Sequence, residues 1–357
     1  MEIITKSNPL NTIYKKSMKI LYIGTPHNHD LWKEGKNPSH WLYGACEMEE
    51  DGHEVIWEQE KYNMFHDLNL IRQYNPDIIF IPNLNLQAHK LLLLLAAFNG
   101  IKIPIFAYLH HAPNTNSRIK QRLYQLLLKG VKHLFFLSEL TMQESIEGRY
   151  VQKGKCSVPG WGADEKFFTQ ITQHNSNTFV STGKEQRDFD ILIEAFQKTG
   201  APLKIITCRS HAGNNFEDLP KRCKDIPNID VTITENSGEV YPLMIRAMAD
   251  AKALVCPLRQ DKLNYCVGLS TIVDAEGLRK PLIITQNPYH SKERIQSFHV
   301  VKTLEDWIEA IHDIQTSNEE IPITHYGMQK CYKTMKTIMK LEAVSYTHLR
   351  AHETTLH

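Results

Sequence analysis

Short apolar runs and amphipathic segments alternate along this chain, break off near its middle, and then begin the same alternation again. Lys19 to Ile23 has strand character and ends at Gly24, and Trp41 to Glu49 carries helical spacing. Gly52 to Trp57 reads as a second strand, and a helix around Leu68 to Tyr74 stops at Asn75-Pro76. Asp77 to Ile81 is a third strand ended by Pro82. A helix (Gln87 to Phe98), a strand (Ile103 to Leu109), a helix (Ser117 to Leu128) and a strand (His133 to Leu137) follow. The segment Ser157-Val158-Pro159-Gly160-Trp161-Gly162-Ala163-Asp164 interrupts the rhythm, and Thr169 to Asn177 is a polar spacer. Strand signals then return at Phe179, Leu203 to Thr207, Ile229 to Ile233, Ala253 to Cys256 and Leu282 to Thr285. Helices are expected at Asp190, over Val240 to Ala249 and after Ser270. Near-continuous apolar strands separated by helices predict parallel sheets covered on both faces. The expected fold class is α/β, with two Rossmann-like doubly wound domains facing across a cleft and ligands at the carboxyl ends of the strands.

The predicted divisions are residues 1–17 as a disordered extension, 18–170 as the first domain, 171–343 as the second, and 344–357 as a tail of non-native character. A length of 357 residues suffices for two cores of ordinary size. Lys and Arg total 41 against 40 Asp and Glu, so bulk attraction of the whole chain to nucleic acid is not expected. Cys46, Cys156, Cys208, Cys223, Cys256, Cys266 and Cys331 form no CxxC pair and read as small core residues in a reducing compartment, not as metal ligands. Met1 to Ser17 lacks the apolar core of a secretory signal. The strongest apolar run, Leu91 to Phe98, falls short of the roughly 20 residues that a membrane helix needs. A cytoplasmic protein is expected, at most peripheral to the inner face of the membrane.

Two turns in the second series carry the chemistry. Ser181-Thr182-Gly183-Lys184-Glu185-Gln186-Arg187-Asp188 follows the strand at Phe179 and precedes the helical pattern Ile191 to Phe196. Gly268-Leu269-Ser270-Thr271-Ile272-Val273-Asp274-Ala275 precedes Leu278-Arg279-Lys280-Pro281-Leu282-Ile283. A strand feeding a glycine turn and two cations is an anion cradle. A glycine before Ser-Thr at a helix start offers N–H groups and hydroxyls to the same anion. Each feature also has a plainer reading: Lys184 and Arg187 as solvated loop charges, Ser270 and Thr271 as a helix cap, and Asp274 as a first-turn stabiliser. Taken together, the turns predict a diphosphate held between them.

These two segments resemble the carboxyl half of GT-B-fold glycosyltransferases, in particular the retaining, family-4-like enzymes. Lys184 stands where that family places an arginine, and Arg187 where it places a lysine. Asp274 takes the place of a glutamate, Arg279 that of a glycine, and no glutamate occupies the earlier acidic position near Asn264-Tyr265. The resemblance implies a sugar transferred from a nucleotide-diphosphate donor to a glycan, lipid-linked or small-molecule acceptor, as in glycan biosynthesis. It implies no cofactor beyond that co-substrate, no metal and no nucleic-acid partner. Lys184 and Arg187 would stabilise the leaving diphosphate as its charge grows. Gly183, Gly268, Leu269, Ser270 and Thr271 would hold it, and Asp274 would orient the ribose; Arg209-Ser210, at the end of the strand Leu203 to Thr207, reads either as a contact to base or phosphate or as an exposed loop. Gly24-Thr25 and His110-His111 would line the acceptor side.

The alternatives are a GT-B-fold nucleotide-sugar epimerase and a non-catalytic nucleotide-sugar-binding protein. Ser117 to His133 forms a basic amphipathic pattern, read as an ordinary surface helix in preference to one lying on an anionic bilayer. Val344 to Thr354 continues no helix or strand pattern and resembles translated adapter sequence. The natural chain is therefore expected to continue beyond about Leu341, with the final helix that packs back onto the first domain absent here.

Overall fold

The computed structural model of the chain describes residues 17–174, 176–209, 216–235, 240–317 and 326–341. Ser210, residues 1–16 of the leading extension and the tail 344–357 lie outside the described residues. The first sheet contains β1 (Lys19–Gly24), β2 (Glu54–Gln59), β3 (Ile78–Ile81), β4 (Ile105–Tyr108), β5 (His133–Phe135) and β6 (Cys156–Ser157). The second contains β7 (Phe179–Thr182), β8 (Leu203–Thr207), β9 (Ile229–Ile233), β10 (Ala253–Cys256), β11 (Leu282–Thr285) and β12 (His299–Val301). The strand orders are β2-β1-β3-β4-β5-β6 and β12-β11-β10-β7-β8-β9. Every pairing between these strands is parallel, with registers such as Leu21 opposite Ile79 and Leu254 opposite Leu282.

Burial explains why the strands read as continuous apolar runs. All residues of β3, β4, β7, β10 and β11 are buried, because helices cover both faces of each sheet. One core lies on the outer face of the first sheet around Leu21, Ile79, Leu92 and Phe136. Another lies on the outer face of the second around Phe179, Phe196, Ile283 and Trp307. The third core spans both domains, joining Tyr22, Phe80 and Tyr108 to Trp161, Phe168, Ile272 and Met335. Burying each such large side chain contributes about 1.5–3 kcal/mol, so this shared core fixes one domain against the other. All seven cysteines are buried and free.

Three features depart from the sequence expectation. Trp41 to Glu49 is not one helix but a 3-10 turn (Ser39–Leu42) and a helix (Ala45–Glu50). Left-handed backbone at Tyr43 (φ 55°) and Gly44 (φ 92°) separates them, and a side chain on Gly44 would press on Met335 Sδ at 3.3 Å. The strands β6 and β12 were not foreseen, being only two and three residues long at their sheet edges. The expected absence of a returning helix is also corrected. Helix Met328–Met339 reaches the first domain, where Tyr332 Oη donates to Asp51 at 2.7 Å and Tyr108 Oη donates to Met335 Sδ at 3.2 Å. Among the described residues, no helix is long and apolar enough to cross a membrane.

Candidate functional site

The Gly183 turn leaves the carboxyl end of β7 in left-handed backbone, φ 95°, and a Cβ there would collide with the Arg187 guanidinium. Glycine is required by that approach. Arg187 is buried, 5% exposed, although it stands in a loop between two polar neighbours. Its Nε and one terminal nitrogen donate to the Thr182 carbonyl at 3.3 and 3.1 Å, and the other terminal nitrogen donates to the Glu185 carbonyl at 2.9 Å. A fourth bond crosses 84 residues of sequence, from Arg187 to Thr271 Oγ1 at 3.3 Å. These bonds use four of the five N–H donors a guanidinium carries. The backbone adds further anchors. Thr207 Oγ1 donates to the Gly183 carbonyl at 2.9 Å, Arg259 N to Gln186 at 2.8 Å, and Asp188 N to Pro257 at 3.2 Å. Asp188 then accepts from Ile191 N and caps helix Phe189–Thr199.

The second turn is built around Gly268, φ 89°, at the N-cap of helix Leu269–Leu278. An added Cβ would meet Leu258, Cys256 and Ile284 at 3.1–3.4 Å. Its carbonyl accepts from Ile272 N at 3.2 Å, and Leu269 N, the first N–H of the helix, donates to the Cys266 carbonyl at 3.1 Å. The segment after β11 holds the turn from behind. Asn287 Nδ2 donates to the carbonyls of Tyr265 and Val267 at 3.0 and 3.1 Å, and His290 Nε2 donates to Val267 at 2.8 Å. Burial pushes the His290 pKa down to about 4, so the ring is neutral in this role. Ser270 is half-buried, whereas Leu269 and Thr271 are buried. Asp274 sits one turn further in, 3% exposed, accepting from Tyr241 Oη at 2.7 Å. Burial raises its pKa to about 7 against the opposing Tyr241 hydrogen bond. The carboxyl is committed to that tyrosine inside the core.

Lys184 is half-buried in the first turn, and Arg209 is exposed at the end of β8. A cavity of about 400 Å³ opens beside the first turn, lined by Arg187, Asp188, Phe189, Phe216, Arg222 and Arg259. A larger one, about 560 Å³, lies between Glu47, Asp164 and Met328, where the returning helix meets the first domain. It contains no residue of either turn. The size ranking therefore does not identify the site; the convergence of strand ends does.

The first domain contributes three strand ends. Gly24 packs so closely on Pro82 that a Cβ would stand 2.7 Å from Pro82 Cγ, and exposed Thr25 accepts from Asn28 Nδ2 at 3.3 Å. His110 Nε2 lies 3.1 Å from the Pro82 carbonyl. A carbonyl can only accept, so Nε2 carries the proton and Nδ1 keeps a lone pair. Burial, reinforced by His111 and opposed by that bond, pushes the His110 pKa down to about 4. His111 is exposed and places its ring 4.2 Å from that of Tyr265, across the domain boundary.

Tyr265 is the residue the sequence argument passed over. Burial pushes its phenol up to about 12, with Glu185 adding to the shift and Arg187 opposing it. It packs against the His111 ring, lies three residues before Gly268 and feels the charges of the Gly183 turn. The signal was its position where the resembled family carries an acidic residue. Among the described residues, no group of three or more His, Cys, Asp and Glu side chains could hold a metal ion.

No protein-family model matches this sequence, and no curated protein does. Solved structures do. A glycosyltransferase from Rickettsia africae aligns with TM-score 0.57 at 15% identity, over 92% of this chain and 100% of its own. The Anabaena protein HepE, solved with UDP and glucose, aligns with TM-score 0.57 at 12% identity, over 90% and 99%. A UDP-GlcNAc 2-epimerase from Neisseria meningitidis, bound to UDP-GlcNAc, aligns with TM-score 0.53 at 14% identity, over 90% and 100%. At these identities the likeness is one of fold, and the chain has the two-domain GT-B architecture shared by glycosyltransferases and UDP-GlcNAc 2-epimerases.

Proposed function

We propose that this protein is a glycosyltransferase of the retaining, family-4-like kind. It moves a sugar from a nucleotide-diphosphate donor to a glycan, lipid-linked or small-molecule acceptor in the cytoplasm, without a metal. One observation supports this above the others: the Arg187–Thr271 hydrogen bond, which draws the two glycine turns together at the carboxyl end of one sheet. Lys184 and the start of helix Leu269–Leu278 then flank a diphosphate, the cation and the helix dipole both opposing the charge that grows on the leaving group. Arg187 acts as a positioning residue, because most of its donors are spent on the turns themselves. His110, with Nδ1 free of a proton, accepts a hydrogen bond from a sugar or acceptor hydroxyl. The leaving phosphate takes the acceptor proton, so no carboxylate base is needed.

The fold neighbours favour an epimerase as the second reading, since one of them is bound to UDP-GlcNAc. The two separate in one assay. Incubation with nucleotide sugar alone yields a changed sugar for an epimerase, and only slow donor hydrolysis for a transferase. Titration with UDP, GDP and ADP tests the shared site first. A protein that binds none of them, by calorimetry or by thermal shift, ends both readings.

A further inference from the structure

The whole chain is nearly neutral, yet residues 78–138 hold no Asp or Glu and seven Lys and Arg: Lys90, Lys102, Arg118, Lys120, Arg122, Lys129 and Lys132. The outer rim of the same domain carries apolar side chains in water. Tyr62 is 78% exposed, Met64 60% and Phe65 56%, all in the loop that leaves the carboxyl end of β2. Ile119 is 82% exposed in the first turn of helix Arg118–Lys129, which follows the loop from β4. Lys61, Arg118, Lys120 and Arg122 are exposed beside them. The strands β2 and β4 stand three places apart in one sheet, a separation of roughly 14 Å. The loop between them is tied in by the Tyr62–Asn85 hydrogen bond. The β2 loop is also stiffened from below. Fully buried His89 lies 2.9 Å from Asp67 and 3.2 Å from Glu60, tying both ends of the loop to one ring and offsetting one of the two carboxylate charges that flank the apolar residues.

Four large apolar side chains held in water on a supported edge, beside four cations, mark an interaction surface. We propose that this rim docks on an anionic lipid bilayer, with Tyr62, Met64, Phe65 and Ile119 entering the headgroup region and Lys61, Arg118, Lys120 and Arg122 resting against lipid phosphates. The charge is complementary to such a surface, and the mixture of aromatic and aliphatic tips suits the boundary between headgroups and acyl chains. A nucleic acid would reward the cations but gives no partner to Met64 or Ile119. The inference rests on the surface alone and not on the proposed transfer reaction. It would bring Gly24, Thr25 and His110, on strand ends of the same sheet edge, close to the plane of the membrane.

Co-sedimentation of the full chain with vesicles of phosphatidylcholine, alone or mixed with phosphatidylglycerol, tests this. Binding is expected to the mixed vesicles only and to weaken with salt. Replacing three cations together (Arg118→Gln, Lys120→Gln, Arg122→Gln) should lower partitioning on the order of a hundredfold and flatten the salt dependence. Replacing the loop tips (Tyr62→Ser, Met64→Ser, Phe65→Ser) should lower it at least about tenfold with the salt dependence kept. All six positions are exposed, and melting curves confirm that both variants fold. No sedimentation with mixed vesicles at low salt overturns the proposal, as does binding that neither variant weakens. Retention of a polyuridine RNA probe without vesicle binding assigns the cations to nucleic acid and overturns it too.

Discussion

At the carboxyl end of the second sheet, both glycine turns are anchored by hydrogen bonds from other segments of the chain. Thr207, Pro257, Thr271, Asn287 and His290 each fix a turn atom, and Arg187 sits at the centre. At the carboxyl end of the first sheet, His110 has one bond to Pro82, while Thr25 and His111 stand at the surface. The same architecture has thus been finished in two ways. A diphosphate is the constant part of any nucleotide-sugar donor, and a preformed cradle for it saves the entropy of ordering loops at binding. An acceptor site shaped by exposed loop residues is free to differ between proteins of one fold, in line with the general placement of specificity on loops.

That contrast can be broken by substitution, beginning with its centre. Arg187→Ala should remove about 3 kcal/mol of stability in urea denaturation, because the Thr182 carbonyl and Thr271 hydroxyl lose a charged donor in a buried place. An unchanged midpoint would show that the turns hold without it. In the first domain the comparable clamp is His89. Burial alone would lower its pKa, but the hydrogen bonds to Asp67 and Glu60 outweigh that and raise it to about 9. Its folded pKa exceeds its unfolded value, so its contribution is complete below about pH 6.5 and is lost as pH rises through about 9. His89→Gln should cost about 2 kcal/mol at pH 6 and much less at pH 10, read from melting curves at both. A constant difference across that range would remove the charged clamp from the account.

Two smaller effects sharpen the same comparison. Gly268→Ala places a β-carbon in left-handed backbone against Leu258 and Cys256, and should cost about 1–2 kcal/mol together with weakened UDP binding. Lys184→Ala should raise the UDP dissociation constant by about tenfold, the usual worth of one charge-assisted hydrogen bond. If Lys184→Ala binds UDP normally in calorimetry, the diphosphate does not lie along the first turn.

Much of this architecture was legible in the sequence for a simple reason. Strands buried on both faces are mostly apolar, and Ile78–Ile81, Ala253–Cys256 and Leu282–Thr285 announce themselves as such. The glycines at 183 and 268 were legible because only glycine enters left-handed backbone so cheaply. The edge strands β6 and β12 were not, since two or three residues carry no periodicity. Nor was the break at Tyr43–Gly44, which exists because Met335 approaches from the far end of the chain.

The sequence by itself therefore determined the two sheets, their helical cover and the position of both turns, all properties of neighbouring residues. Only the tertiary structure decided which way the polar side chains face. Arg187 points inward to Thr271, Asp274 is taken up by Tyr241, and His111 meets Tyr265 across the domain boundary. Each of those partners is brought near by chain folding, and a side chain with several donors or acceptors takes whichever partner arrives. Local pattern fixes where a residue stands; long-range packing fixes what it touches.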